Sequence, residues 1–141
     1  PKLEKLSDAL RISQYVSFTG ESGNANRLLK AFDIFAFPSM DEGMPNVILE
    51  AAAAGLPIVT WDLPFYREIL TNGENAILVQ PGNLDQFRMA LQELIENPEL
   101  RVQLGSAARQ HVLDTFTVEK FTSNMTQVYD TLLSQKNIRN K

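Results

Sequence analysis

The order of apolar and polar positions divides the chain into alternating helical and extended stretches. Leu3, Leu6 and Leu10 recur at helical spacing and predict a helix over residues 2–12. Tyr15-Val16-Ser17-Phe18-Thr19 is a short β-rich run closed by Gly20, and residues 20–25 are loop by composition. One or two helical turns follow over 27–32. Asp33-Ile34-Phe35-Ala36-Phe37 is nearly continuous apolar sequence stopped by Pro38, the pattern of a strand buried on both faces. After a loop from Pro38 to Pro45, residues 46–54 read as strong helix ended by Gly55. A second buried strand spans 56–61, and Pro64 opens a short helix through Leu70. Asn72-Gly73 marks a turn, and Ala76 to Val79 is a further strand stopped by Pro81-Gly82. The rest is helical. Asn83 to Gln86 has a capping-box pattern ahead of Leu84, Phe87, Leu91, Leu94 and Ile95. Asn97-Pro98 restarts the helix, with Leu100, Leu104, Ala108 and Val112 as its stripe. Thr117 caps a last helix carrying Val118, Phe121, Met125, Val128, Tyr129 and Leu132.

Short apolar strands alternating with helices predict one α/β lobe over residues 1–135. Its parallel, Rossmann-like sheet is covered by helices on both faces, and a basic tail follows over 136–141. Sheets of this kind take ligands at the carboxyl ends of their strands. That singles out the loops Gly20–Asn26, Pro38–Pro45, Trp61–Pro64 and Val79–Asn83.

Composition narrows the chemistry. The 141 residues include 17 acidic and 13 basic side chains, a net charge of -4, which argues against a generally basic nucleic-acid binder. There is no Cys, which excludes disulfides, thiolate metal sites and cysteine nucleophiles; there is one His, His111. No run of 18 apolar residues exists to span a bilayer. The chain opens without Met, directly into helical spacing, and this predicts a piece of something longer.

The loop Phe37-Pro38-Ser39-Met40-Asp41-Glu42-Gly43-Met44-Pro45-Asn46, with Glu50 on the helix behind it, concentrates the candidate chemistry. Pro45 starts the helix, so Glu42 sits in the preceding loop and folds back over its N-terminus. Glu50 lies about one turn in, and both carboxylates are expected to face one crevice. Gly43 allows close backbone approach. The amides near 43–47, with the helix dipole, form an anion site. Carboxylates beside a bound anion do not attract it. They suit hydroxyl groups, such as those of a sugar and a ribose.

The run Phe-Pro-Ser-x-x-Glu-Gly-x-Pro-Asn-Val-x-Leu-Glu-Ala-x-Ala-x-Gly-x-Pro-Ile-Val over residues 37–59 resembles the signature of the group 1 glycosyltransferases. These are retaining nucleotide-sugar enzymes of GT-B fold, and Glu42 and Glu50 match their Glu-x7-Glu motif. Val16 to Gly20, Asn72-Gly73, Ala76 to Pro81 and Arg101 to Phe121 resemble flanking parts of the same donor-binding lobe. The resemblance implies that Glu42, placed as the catalytic carboxylate, contacts hydroxyls of the transferred sugar, and that Glu50 holds the donor ribose. It also implies backbone amides around Gly43, Met44 and Asn46 near the sugar and diphosphate, and Gly20 and Glu21 beside the base. No metal and no cofactor other than the donor are implied. The acceptor, a glycan or a lipid-linked molecule, falls to an N-terminal lobe not in this chain. The place implied is cytoplasmic, with peripheral attachment to the inner face of a membrane as an option. The family's Arg/Lys pair at the diphosphate is matched by none of Arg27, Lys30 and Arg67. In the lobe's strand order, 15–19 takes the third place and 33–37, 57–60 and 76–79 the fourth to sixth. Residues 15–19 therefore need a partner: 33–37, a second copy paired edge to edge, or another chain.

Simpler roles compete for the remaining residues. Ser39 is expected mainly to shape its loop, Trp61 to be core or lobe interface, and Glu68 to lie on the surface. Arg101, Arg109 and the tail are expected to form a solvated face, and His111 to sit on a helix flank. Two other functional readings stand beside the enzyme. One is a non-catalytic nucleotide-sugar sensor or assembly module on the same fold. The other is a sugar-nucleotide epimerase, against which Glu-Gly-x-Pro-Asn-Val speaks.

Overall fold

The computed structural model describes residues 2–21, 23, 25–43 and 45–139. A three-stranded parallel sheet holds β1 (Phe35–Phe37), β2 (Ile58–Trp61) and β3 (Ile77–Val79) in that order. Ala36 lies opposite Val59, and Thr60 opposite Leu78. The helices are α1 (Lys2–Ala9), α2 (Ala25–Leu29), α3 (Asn46–Ala53), α4 (Pro64–Arg67), α5 (Leu84–Glu96), α6 (Pro98–Thr115) and α7 (Val118–Arg139), with a 3-10 turn at Ser13–Tyr15. All four β2 residues are buried although successive side chains point to opposite faces, so this strand is covered on both sides. Trp61 packs on Phe87 of α5 with ring centroids 4.8 Å apart, which makes it a core residue.

Local chemistry fixes the helix ends. The Asn83 side chain accepts from the Gln86 amide and the Asn97 side chain from Leu100, each three residues on. Thr117 does the same for Lys120. Helix α3 ends in a Schellman arrangement: Leu56 N–H donates to Ala51 C=O and Gly55 N–H to Ala52 C=O, with Gly55 at φ +81. Two arginines expected on a solvated face also bind helix ends, Arg101 half-buried and Arg109 exposed as expected. Arg101 donates to the Leu94 and Ile95 carbonyls at the end of α5, and Arg109 donates to the Ala53 carbonyl at the end of α3. Orphan carbonyls at a helix C-terminus attract cations, which is why these arginines settle there.

The backbone of α6 crosses that same helix end at Gly105. A Cβ there would fall 2.1 Å from Gly55 O and 3.0 Å from Gly55 C, both main-chain atoms. Gly105→Ala is therefore expected to destabilise the chain by about 1–3 kcal/mol through overpacking. Urea unfolding followed by the fluorescence of the single tryptophan, Trp61, measures this; an unchanged midpoint would contradict it.

The third-place strand is a correction. Tyr15 closes the 3-10 turn and Val16 is extended at φ -118, ψ 122, yet residues 15–19 join no sheet. Tyr15 is 80% exposed and Phe18 47%. Among the described residues no strand runs beside them, and an extended segment without a neighbour has no ladder to join. β1 correspondingly keeps one open edge: Ala36 is exposed, while Phe35 and Phe37 stack 5.8 Å apart on one side. The tail is helical as far as Arg139.

Apolar side chains on α1, at Leu10 just beyond it and on α7 also face outward. Leu3, Leu6 and Leu10 are exposed, as are Val118, Phe121, Val128, Tyr129 and Leu132, while Leu84 and Ile95 flank rather than enter the buried face of α5. The accessible surface is 10394 Å² for 15.8 kDa, whereas a compact monomer of that mass exposes about 7,300 Å². These helices therefore carry apolar surface that this chain does not itself cover.

Candidate functional site

The site is built where β1 leaves the sheet. Pro38 ends the strand, the chain loops through Ser39 to Gly43, and α3 begins at Asn46 with Pro45 as its N-cap residue. The N-terminus of α3 therefore stands at the carboxyl end of the sheet, as expected. Ile48 N–H already donates to Pro45 C=O at 2.9 Å; the helix dipole is positive at this end.

Glu42 is half-buried in the loop, and Ser39 Oγ donates to its Oε1 at 2.7 Å. Glu50 is half-buried on α3. It lies one turn beyond the exposed Asn46 on the same face, whereas Ile48, Ala51 and Ala52 point to the core on the other side. Both carboxylates thus belong to one stretch at the carboxyl end of β1, and neither is spent on the core. Gly43 is exposed, lies outside the left-handed region, and a Cβ there would meet nothing within 4 Å. Its backbone needs no glycine; the absence of a side chain leaves open space in front of the loop. Met44 lies outside the described residues.

Gly20 takes φ +66, a conformation that favours glycine, and Glu21 is exposed in the bend that follows. The loop leads into α2, which packs against α3 and buries Leu29. Glu68 is exposed, as expected, and His111 packs edge-on to Phe116 at 5.9 Å.

Three residues matter more than their sequence context suggests. Ser39 binds Glu42 directly, as noted. Thr60 Oγ1 donates to Phe37 C=O at 2.7 Å, and the Tyr66 hydroxyl donates to Ser39 C=O at 3.1 Å. Burial raises the Tyr66 pKa, opposed by hydrogen bonds with Thr60 and Ser39; the negative charge of Glu42 raises it further. The phenol is therefore held protonated as a donor. No spacing rule would have flagged Tyr66, because in sequence it reads as one more apolar residue of a short helix.

On the neighbouring strand end, Arg67 grips Asp62 through Nε at 2.6 Å and Nη2 at 2.7 Å. The hydrogen bond from Arg67 holds the Asp62 carboxyl below its ordinary range; desolvation opposes it, and the guanidinium charge adds to the lowering. A lowered carboxylate stabilises the fold above its unfolded pKa, and that contribution is lost as pH falls through the lowered value. Arg67 is exposed and Asp62 half-buried, so solvent screens the pair and the contribution is small. Arg67→Gln is expected to return the Asp62 titration, followed by carboxyl NMR, to the ordinary range; an unmoved titration would contradict the pairing. Arg67 is thus occupied within the fold.

Comparison with known proteins places this arrangement. The family model for glycosyl transferases group 1 matches residues 1–111, so the chain belongs to that family. An uncharacterized glycosyltransferase of Haemophilus influenzae is 33% identical over 108 residues, covering 76% of this chain and 31% of that relative. Among solved structures, sucrose-phosphate synthase of Thermosynechococcus elongatus superposes with a TM-score of 0.86 at 24% identity, over 95% of this chain and 34% of that one. HepE of Anabaena, solved in complex with UDP and glucose, gives 0.86 at 23% identity over 92% of this chain and 36% of that one. These neighbours have the GT-B fold. The chain spans about a third of the length of the curated relatives it matches. Among the described residues no helix is long and apolar enough to cross a membrane.

Proposed function

We propose that this chain is the donor-binding part of a retaining, metal-independent glycosyltransferase. The reaction moves a hexose-type sugar from a nucleotide diphosphate to a glycan or lipid-linked acceptor. The observation that carries the reading is the placement of Glu42 and Glu50, unburied by the core, around the entry to α3. Membership of the family supports it, as does the UDP bound by a structural neighbour.

The roles follow from chemistry. Breaking the anomeric carbon–oxygen bond sends the bonding pair to the diphosphate oxygen. The growing charge falls to the amides at the start of α3, around Gly43, Met44 and Asn46, and to the helix dipole. Such fixed dipoles need no metal to act. Glu42 takes hydroxyls of the transferred sugar, Glu50 takes the ribose hydroxyls, and Gly20 and Glu21 lie beside the base. A second lobe brings the acceptor. The uncovered stripes of α1 and α7, the open edge of β1 and the unpaired segment 16–19 support contact with further protein, whether that lobe or a second copy paired edge to edge. The work is cytoplasmic, at the inner membrane face where the acceptor is lipid-linked.

Transfer assays with UDP- and GDP-hexoses, in an enzyme joining this chain to an acceptor lobe, test the reading. Expected are a product of retained anomeric configuration and a rate unaffected by EDTA. An inverted product, or loss of activity with EDTA, would overturn it; donor binding without transfer would point to the non-catalytic module. The 141-residue chain by itself is expected to transfer no sugar and to bind UDP or GDP weakly, since neither Arg27, Lys30 nor Arg67 matches the family's diphosphate pair. Micromolar binding in a calorimetric titration would contradict that.

A further inference from the structure

We infer that Tyr66 is a positioning residue for Glu42, acting with Thr60 through the main chain of the Phe37–Ser39 segment and the Ser39 hydroxyl. The inference deepens the glycosyltransferase reading and rests on it for the role of Glu42; the linkage itself stands on geometry. Tyr66 and Thr60 are both completely buried. Each spends its hydroxyl on a carbonyl of the segment leaving β1: Thr60 on Phe37, Tyr66 on Ser39. Between those carbonyls sits Pro38, which has no N–H to give. β1 is an edge strand with a ladder on one side only, so the sheet alone fixes the exit of its last residues weakly.

Two buried hydroxyls from β2 and α4 supply the missing grip. The Tyr66 ring is itself held, edge-on to Phe37 at 6.2 Å and to Phe65 at 4.5 Å. With its backbone carbonyl fixed, Ser39 presents Oγ to Glu42 Oε1 at 2.7 Å. The order of control runs from Tyr66 to the Ser39 main chain, to the Ser39 hydroxyl, to one carboxylate oxygen. A carboxylate that must meet sugar hydroxyls at a fixed angle needs that support, because a displacement of about 1 Å is enough to slow a reaction about 100-fold.

The test uses Tyr66→Phe, Ser39→Ala and Ser39→Thr in an enzyme joining this chain to an acceptor lobe, together with backbone NMR relaxation on the 141-residue chain. Tyr66→Phe and Ser39→Ala are each expected to lower kcat about tenfold, with the donor KM within about twofold. Ser39→Thr keeps the hydroxyl and is expected to restore most of the rate. In a Glu42→Ala background, Tyr66→Phe is expected to add nothing, the signature of residues acting in series. Relaxation is expected to show Ser39 to Gly43 loosened in Tyr66→Phe, with α5 and α6 unchanged. An unchanged kcat in Tyr66→Phe, or an equal loss in the Glu42→Ala background, would overturn the inference. So would a loss of rate that merely follows a lowered unfolding midpoint. If the parent enzyme transfers no sugar or ignores Glu42→Ala, the functional reading fails. The relaxation comparison then decides the linkage alone: a loosened loop sustains it, and an unaltered loop ends it.

Discussion

Glu42→Ala, in an enzyme joining this chain to an acceptor lobe, is expected to lower kcat by about 100-fold while leaving the donor KM within about threefold. Glu42 sits in the loop ahead of α3 with one oxygen already fixed by Ser39, so it meets a ligand as a preset group. A contact to hydroxyls of the transferred sugar strengthens as the anomeric carbon gains positive charge. Interactions stronger in the transition state than in the ground state appear in kcat. Steady-state kinetics at saturating acceptor reads both constants. A raised KM at unchanged kcat would move Glu42 from the reacting sugar to a plain binding role, and no change in either would remove it from the site.

Glu50→Ala is expected to act on the other constant, raising the donor KM about 10–30-fold with kcat within about threefold. A ribose held by a carboxylate makes the same hydrogen bonds before and during the reaction, so its loss weakens binding uniformly. A charge-assisted bond of about 1.5–2 kcal/mol, at the lower end of its usual range, gives a change of that size, since 1.4 kcal/mol is tenfold. A donor lacking a ribose hydroxyl sharpens the test: Glu50→Ala should cost it less than the intact donor. An equal penalty for both donors would place Glu50 away from the ribose.

The parts of this structure that were readable in the sequence are those fixed locally. Asn83, Asn97 and Thr117 cap as their types and spacing imply. Gly55 ends α3 because only a left-handed residue closes that turn without strain. The apolar runs of β2 and β3 formed strands because helices cover them. What was not readable depends on contacts across the chain. Residues 15–19 have strand composition, but a strand is made by its neighbour, and among the described residues none lies beside them. Arg101 and Arg109 look like solvated charges until α5 and α3 bring their carbonyl ends alongside. In the site, the Glu42–Ser39 pairing lies within one short loop, yet the grip of Thr60 and Tyr66 on that loop spans more than twenty residues and carries no motif.

The central claim is that a nucleotide diphosphate binds at the entry to α3, and its most direct test is a chemical-shift footprint of UDP and GDP on the 141-residue chain at millimolar nucleotide. The account predicts that shifts concentrate at Gly20, Gly43 and Asn46 to Glu50 and weaken together in Glu50→Ala. Shifts confined to α7 or α5, or a footprint indifferent to Glu50→Ala, would contradict it.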